Sequence, residues 1–182
     1  MDFEATAIEG VHVVRPRKLV DERGFFARVS CEQELADHGL IGRFVQANTG
    51  LSTRRGTLRG LHFQRAPHEE AKLVRCTRGR VFDVAVDLRP GSPTYTSWFG
   101  LELGADEHTM VYVPPGCAHG YLTLVDASEV HYETSAAYAP DAVAGRRWDD
   151  PAFGIEWPAA VEVVSEQDRS WPLLADAGDE AA

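Results

Sequence analysis

Short segments of alternating polarity recur along this chain, each cut off by turn formers and none followed by a long helical stretch. That pattern restricts the fold more than any other feature. The clearest segment is Val81-Phe82-Asp83-Val84-Ala85-Val86-Asp87-Leu88. It sets Val81, Asp83, Ala85 and Asp87 on one face and Phe82, Val84, Val86 and Leu88 on the other, the period of a strand. Arg89-Pro90-Gly91-Ser92-Pro93 then stops it with residues that favour turns. The same reading predicts strands at 11–14, 43–46, 73–76, 94–103, 109–113, 118–125, 129–134 and 161–164. A single helix is predicted near 30–38, because Ser30 and Gln33 have capping-box spacing and Gly39 offers a stop. Without strand–helix alternation a parallel α/β sheet is excluded, and an all-β sandwich or barrel of the jelly-roll kind is expected. The 182 residues fit one domain spanning 1–182, with a small acidic tail at 175–182 expected to fray.

Charge narrows the partners. Asp and Glu number 28 against 18 Lys and Arg, a formal net charge of -10. Nucleic acid and anionic membranes need basic surfaces, so neither is expected as a partner. A small anion held by a few arginines remains compatible with that charge. Met1-Asp2-Phe3-Glu4 lacks the basic and apolar regions of a secretory signal, and a cytoplasmic location is expected. Cys31, Cys76 and Cys117 are odd in number and widely spaced, and read as buried free thiols.

Leu58-Arg59-Gly60-Leu61-His62-Phe63-Gln64 is the densest candidate for chemistry. On a regular strand Arg59, Leu61 and Phe63 face one way, and Gly60, His62 and Gln64 the other. Gly60 beside His62 is expected to let a ligand approach the strand. A histidine titrates near neutral pH and is the natural general base, although a strand histidine is more often structural. Only Lys18 and Lys72 are lysines among the 18 basic residues. Lys72, placed just before an apolar strand, is suited to stabilise an oxyanion, with an ordinary strand-edge lysine as the alternative. The 7 histidines include no His-x-His pair, and Gln64 stands where a second metal ligand would follow His62, so no metal site is expected. Phosphate loops and dinucleotide fingerprints are absent.

Taken in order, a set of these segments resembles the dTDP-4-dehydrorhamnose 3,5-epimerase family of sugar-nucleotide epimerases. The set comprises Asp21-Glu22-Arg23-Gly24-Phe25-Phe26, the 58–64 segment, Lys72-Leu73-Val74-Arg75-Cys76, the 81–87 strand and Ser92-Pro93-Thr94. Ala118-His119-Gly120, Tyr132, Tyr138, Trp148-Asp149-Asp150-Pro151 and Asp168-Arg169-Ser170 continue it. The resemblance implies a cupin-type double-stranded β-helix, usually a homodimer, that acts on a nucleotide sugar without metal or organic cofactor. It implies His62 as base, Tyr132 as acid, Asp168 orienting His62, and Lys72 holding the enolate oxygen. Arg59 and His119 would meet the sugar. Arg23 and Phe26 would reach pyrophosphate and nucleobase across the dimer, with Gln46, Asn48 and Tyr138 as further nucleotide contacts.

The chemistry is consistent with those residue types. A ketone at C4 acidifies the hydrogens at C3 and C5, because either carbanion is delocalised onto the ketone oxygen. A base on one face removes the proton and an acid on the other returns one with inversion. Four positions depart from the family's usual pattern: Arg28 and Val143 each stand for a Glu, Glu133 for a Lys, and Glu70 for a Gln. Arg28 is expected to contact phosphate or to pair with Glu133. These departures leave open another nucleotide and a mono-epimerase; a 3,4-ketoisomerase and a non-catalytic sugar-nucleotide binder are the competing classes.

Overall fold

The computed structural model describes residues 1–176. Fourteen strands and two short α-helices follow in chain order. They are β1 (Asp2–Ala5), β2 (His12–Arg15), β3 (Leu19–Asp21), β4 (Gly24–Phe26), α1 (Glu32–Ala36), β5 (Gln46–Ser52) and β6 (Thr57–Gln64). Next come β7 (Lys72–Arg78), β8 (Arg80–Asp87), β9 (Trp98–Gly104), β10 (Met110–Val113), β11 (Cys117–Thr123) and β12 (Ser128–Thr134). The last strands and α-helix of the described residues are β13 (Val143–Gly145), β14 (Val163–Val164) and α2 (Glu166–Ser170).

Two six-stranded sheets face each other, in the orders β1-β2-β10-β7-β12-β5 and β13-β6-β11-β8-β9, with β14 beside β6. This is the cupin jelly roll. From β5 to β8 and from β9 to β13 consecutive strands alternate between sheets, so residues distant in sequence become neighbours across the interior. Val74, Val111 and Val130 from the first sheet pack on Val81, Ala85 and Tyr121 from the second. The outer face of the second sheet carries another apolar layer, Leu61, Phe63, Val84 and Val86 with Phe153. Helix α1 covers the first sheet through Leu35, against Val14, Leu73 and Met110. Strand β8 is therefore buried on both faces, which explains why its polar positions hold aspartates that find partners inside. Asp87 accepts hydrogen bonds from Arg89, Ser92 and Thr94. Those contacts overcome the upward effect of burial and hold its carboxyl well below the usual range.

Several expectations need correction. Helix α1 is present, but Ser30 does not cap it. Its hydroxyl donates to Glu133 Oε2 at 3.0 Å, and Cys31 is the N-cap without a side-chain bond. Cys31 is accordingly half-buried, whereas Cys76 and Cys117 are buried. Gly39 does end the helix, at φ 73°. The strand expected at 43–46 begins at Gln46 instead, and the segment 94–97 is a turn before β9. Strands β1, β3, β4 and β13 and helix α2 were not predicted. Of the tail, Ala175 and Asp176 belong to a short 3-10 turn, and the rest lies outside the described residues.

Candidate active site

The floor of the site begins with a break in strand alternation. Across β6 and β11, His62 pairs with His119 and Arg59 with Tyr121, so three steps on one strand oppose two on the other. This bulge turns Arg59 to the same inner face as His62, against the strict alternation expected from sequence. Glycines at the crossing make it possible. Gly60 adopts φ 139°, and a Cβ there would lie 2.6 Å from the Gly120 Cα. The missing side chain thus admits the neighbouring backbone, not a ligand.

A cavity of about 660 Å³ opens over this bulge, lined by Arg59, His62, Lys72, His119, Tyr121, Tyr132 and Asp168. A smaller lobe of about 220 Å³ adjoins it, lined by Gln46, Asn48, Gln64, Glu70, Tyr138 and Val143. His62, Lys72, Tyr132 and Asn48 line both. His62 stands on β6 in one sheet and Tyr132 on β12 in the other, on opposing walls.

His62 Nε2 lies 2.6 Å from Asp168 Oδ1. Asp168 reaches it from α2, which Ser165 caps by accepting the Asp168 N–H at 3.0 Å. Gly60 N–H donates to the other carboxylate oxygen at 3.3 Å. Burial alone would raise the Asp168 carboxyl, but the His62 contact, the Gly60 N–H and the Ser165 side chain bring it below its ordinary value. Trp171 stands edge-on to the His62 ring, in space that a Cβ on Gly145 would occupy. The sequence reading missed α2, although Ser165-x-x-Asp168 has capping spacing.

Lys72 is buried and donates to the His62 carbonyl at 3.2 Å. Its ammonium also lies 3.2 Å from Glu70 Oε1. Burial pushes the Tyr132 phenol up, Glu70 adds to that effect, and Arg59 opposes it. Arg59 Nε is anchored on Ser52 Oγ at 3.1 Å. His119 Nε2 lies 2.8 Å from the buried Asp83 Oδ2. In the smaller lobe, Gln46 donates to Asn48 Oδ1 and accepts from the Tyr138 N–H, each at 3.0 Å. Gln64, missed as a site residue, donates to the His68 carbonyl and Glu70 and accepts from Ala139 N–H. It ties the Glu70 and Tyr138 segments together.

Arg23 and Phe26 are not brought to this cavity. They lie on the exposed β3–β4 hairpin, where Phe26 is 72% exposed and Arg23 pairs with Asp21. Arg28 pairs with Glu34 at 2.7 Å, not with Glu133, which Ser30 occupies. Burial drives the Cys117 thiol up to about 12, so it is no nucleophile. Among the described residues no three His, Cys, Asp or Glu side chains converge in a metal-binding group.

The family model of dTDP-4-dehydrorhamnose 3,5-epimerase matches residues 5–176. The chain belongs to this epimerase family. A curated relative, dTDP-4-dehydrorhamnose 3,5-epimerase of Sinorhizobium fredii, is 46% identical over 97% of this chain and 91% of its own length. The crystal structure of the family enzyme from Elizabethkingia anophelis superposes with a TM-score of 0.93 at 35% identity, covering 96% of this chain and 97% of the other. The Bacillus anthracis enzyme, solved with TDP and PPi bound, gives 0.91 at 39% identity over 95% and 99% of the two chains. Membership in the epimerase family makes the chain an isomerase. No helix of the described residues is long and apolar enough to cross a membrane.

Proposed function

We propose that this epimerase inverts carbon centres adjacent to the ketone of a 4-keto-6-deoxyhexose carried on dTDP. The observation that carries the reading is the placement of His62 and Tyr132 on opposite sheets, facing one cavity, with Lys72 between the lobes. Inversion requires a base and an acid on opposite faces of the sugar ring. His62, oriented by Asp168, removes the proton at C5 or C3. The electron pair moves onto the C4 oxygen, and the Lys72 ammonium stabilises the enolate that forms. Tyr132, kept protonated by burial, returns a proton from the other side. No electron leaves the substrate and no bond is hydrolysed, so the reaction calls on no cofactor. Arg59 and His119 hold the sugar; Gln46, Asn48 and Tyr138 hold the nucleotide.

The exposed hairpin belongs to the same reading. Leu19, Val20 and Phe26 are 69%, 77% and 72% exposed, a cluster that a second subunit would cover. In a homodimer the arm would carry Arg23 and Phe26 to the partner's nucleotide. In this reading the reaction runs in the cytoplasm, on a single domain.

Incubation with dTDP-4-keto-6-deoxyglucose in deuterium oxide tests the reaction. The expected result is deuterium at C5 and C3 with the rhamno configuration by proton NMR. Label at one centre makes the chain a mono-epimerase. A displaced carbonyl makes it a ketoisomerase, and no label makes it a binding protein.

A further inference from the structure

Lys72 has more partners than an oxyanion holder requires. Its three N–H donors meet the His62 carbonyl and Glu70 Oε1, both at 3.2 Å, which leaves one for a ligand. The Lys72 and Glu70 side chains are only 9% and 11% exposed. Glu70 is fixed from the other side, its Oε2 accepting from Gln64 Nε2 at 3.1 Å. Gln64, itself buried, also bonds the His68 carbonyl and the Ala139 N–H. A carboxylate has therefore been built into the wall of the smaller lobe, against the lysine and near the phenol, and the reaction above assigns it no step.

We infer that Glu70 is a positioning residue of the proton-transfer site: its carboxylate aims the Lys72 ammonium and sets a negative charge in the lobe that it shares with the Tyr132 phenol. The inference rests on the proposed epimerisation for its purpose, not for its geometry. The titratable groups that line the two lobes with the phenol are Arg59 and His62 from β6, Lys72 from β7, His119 and Tyr121 from β11, Asp168 from α2, Tyr138, and Glu70 from the segment before β7. Arg59 and Lys72 are cations in a half-enclosed site, and cations favour the phenolate. A phenolate cannot return a proton to carbon. Glu70 opposes them, and it adds to burial in raising the phenol. Gln64 holds its Oε2, which keeps Oε1 against the lysine ammonium.

The test is a ring-carbon NMR titration of protein labelled with 13C-tyrosine, with the Tyr132 signal identified by its loss in Tyr132→Phe. In Glu70→Gln the charge goes, while Oε1 still accepts from Lys72. The Tyr132 midpoint is expected to fall by about half to one pH unit. Glu70→Asp, which withdraws the charge by one methylene, gives a smaller fall of the same sign and serves if the Gln variant does not fold. The alkaline limb of substrate deuterium exchange should move down with the midpoint. A midpoint that stays at the wild-type value in folded Glu70→Gln, or in Glu70→Asp where only that variant folds, overturns the inference, whatever happens to stability. If the midpoint falls but the wild-type protein exchanges no substrate protons, the proposed reaction fails and the electrostatic role of Glu70 stands.

Discussion

Two histidine–aspartate pairs sit side by side in this cavity, and they have different surroundings. His62 and His119 are direct cross-strand partners on β6 and β11. Each places Nε2 against a carboxylate, at 2.6 Å for Asp168 and 2.8 Å for Asp83. The His62 side chain is 39% exposed, that of His119 only 8%. Asp83 comes from β8, within the same sheet, whereas Asp168 comes from α2, 106 residues away. The pairing chemistry is shared, so it does not select the base. Access does: His62 opens into both lobes, whereas His119 lines only the larger lobe and is otherwise packed into the sheet. On the proposed reaction the first pair exchanges a proton with the substrate, whereas the second holds a buried carboxylate.

The largest effect that could break this contrast is on rate. His62→Ala is expected to reduce substrate deuterium exchange by about 10³-fold or more while leaving thermal stability nearly unchanged. An equal loss of exchange in folded His119→Gln, read in the same assay, would show that access does not separate the two histidines.

A smaller effect concerns stability and reverses the order. Asp83 Oδ1 has no hydrogen-bond partner among the described residues, so His119 is the group that satisfies this carboxylate. Replacing His119 with Ala strands the charge in the sheet, and unfolding in denaturant should report a loss of about 3 kcal/mol. His62→Ala should cost clearly less, because the Asp168 carboxylate keeps the Gly60 N–H as a donor.

The finest test uses pH. The folded Asp168 carboxyl lies below its ordinary value of 3.8. A carboxyl lowered on folding contributes stability that is complete above the unfolded value and disappears as pH falls through the folded one. Asp168→Asn should therefore be less stable than wild type at neutral pH, and the difference should close as pH drops below about 4. Denaturant midpoints collected across that range check the sign. A difference that persists unchanged in acid would mean that packing, not charge, gives Asp168 its contribution.

Much of this was legible from local pattern. Strand β8 was read at nearly its true length because alternation is a property of adjacent residues, and the turn at 89–93 marks its end unaided. His62 and Lys72 stood out by type and position before any neighbour was known. Local signals also misled. Ser30 and Gln33 have capping-box spacing, yet the Ser30 hydroxyl is drawn to Glu133 on β12, a partner that local spacing does not reveal. Ser165 and Asp168 have similar spacing and do cap a helix.

By itself, the sequence determined the all-β class, the alternation of β8, the family, and the residue types from which the site is made. Tertiary structure alone decided which of those side chains meet. The bulge opposite Gly120 turned Arg59 toward His62, the capped helix α2 brought Asp168 to that ring, and Gln64 set Glu70 against Lys72. The physical reason is that period and propensity act over a few residues, whereas these contacts depend on inter-strand register and on backbones that touch where two glycines cross.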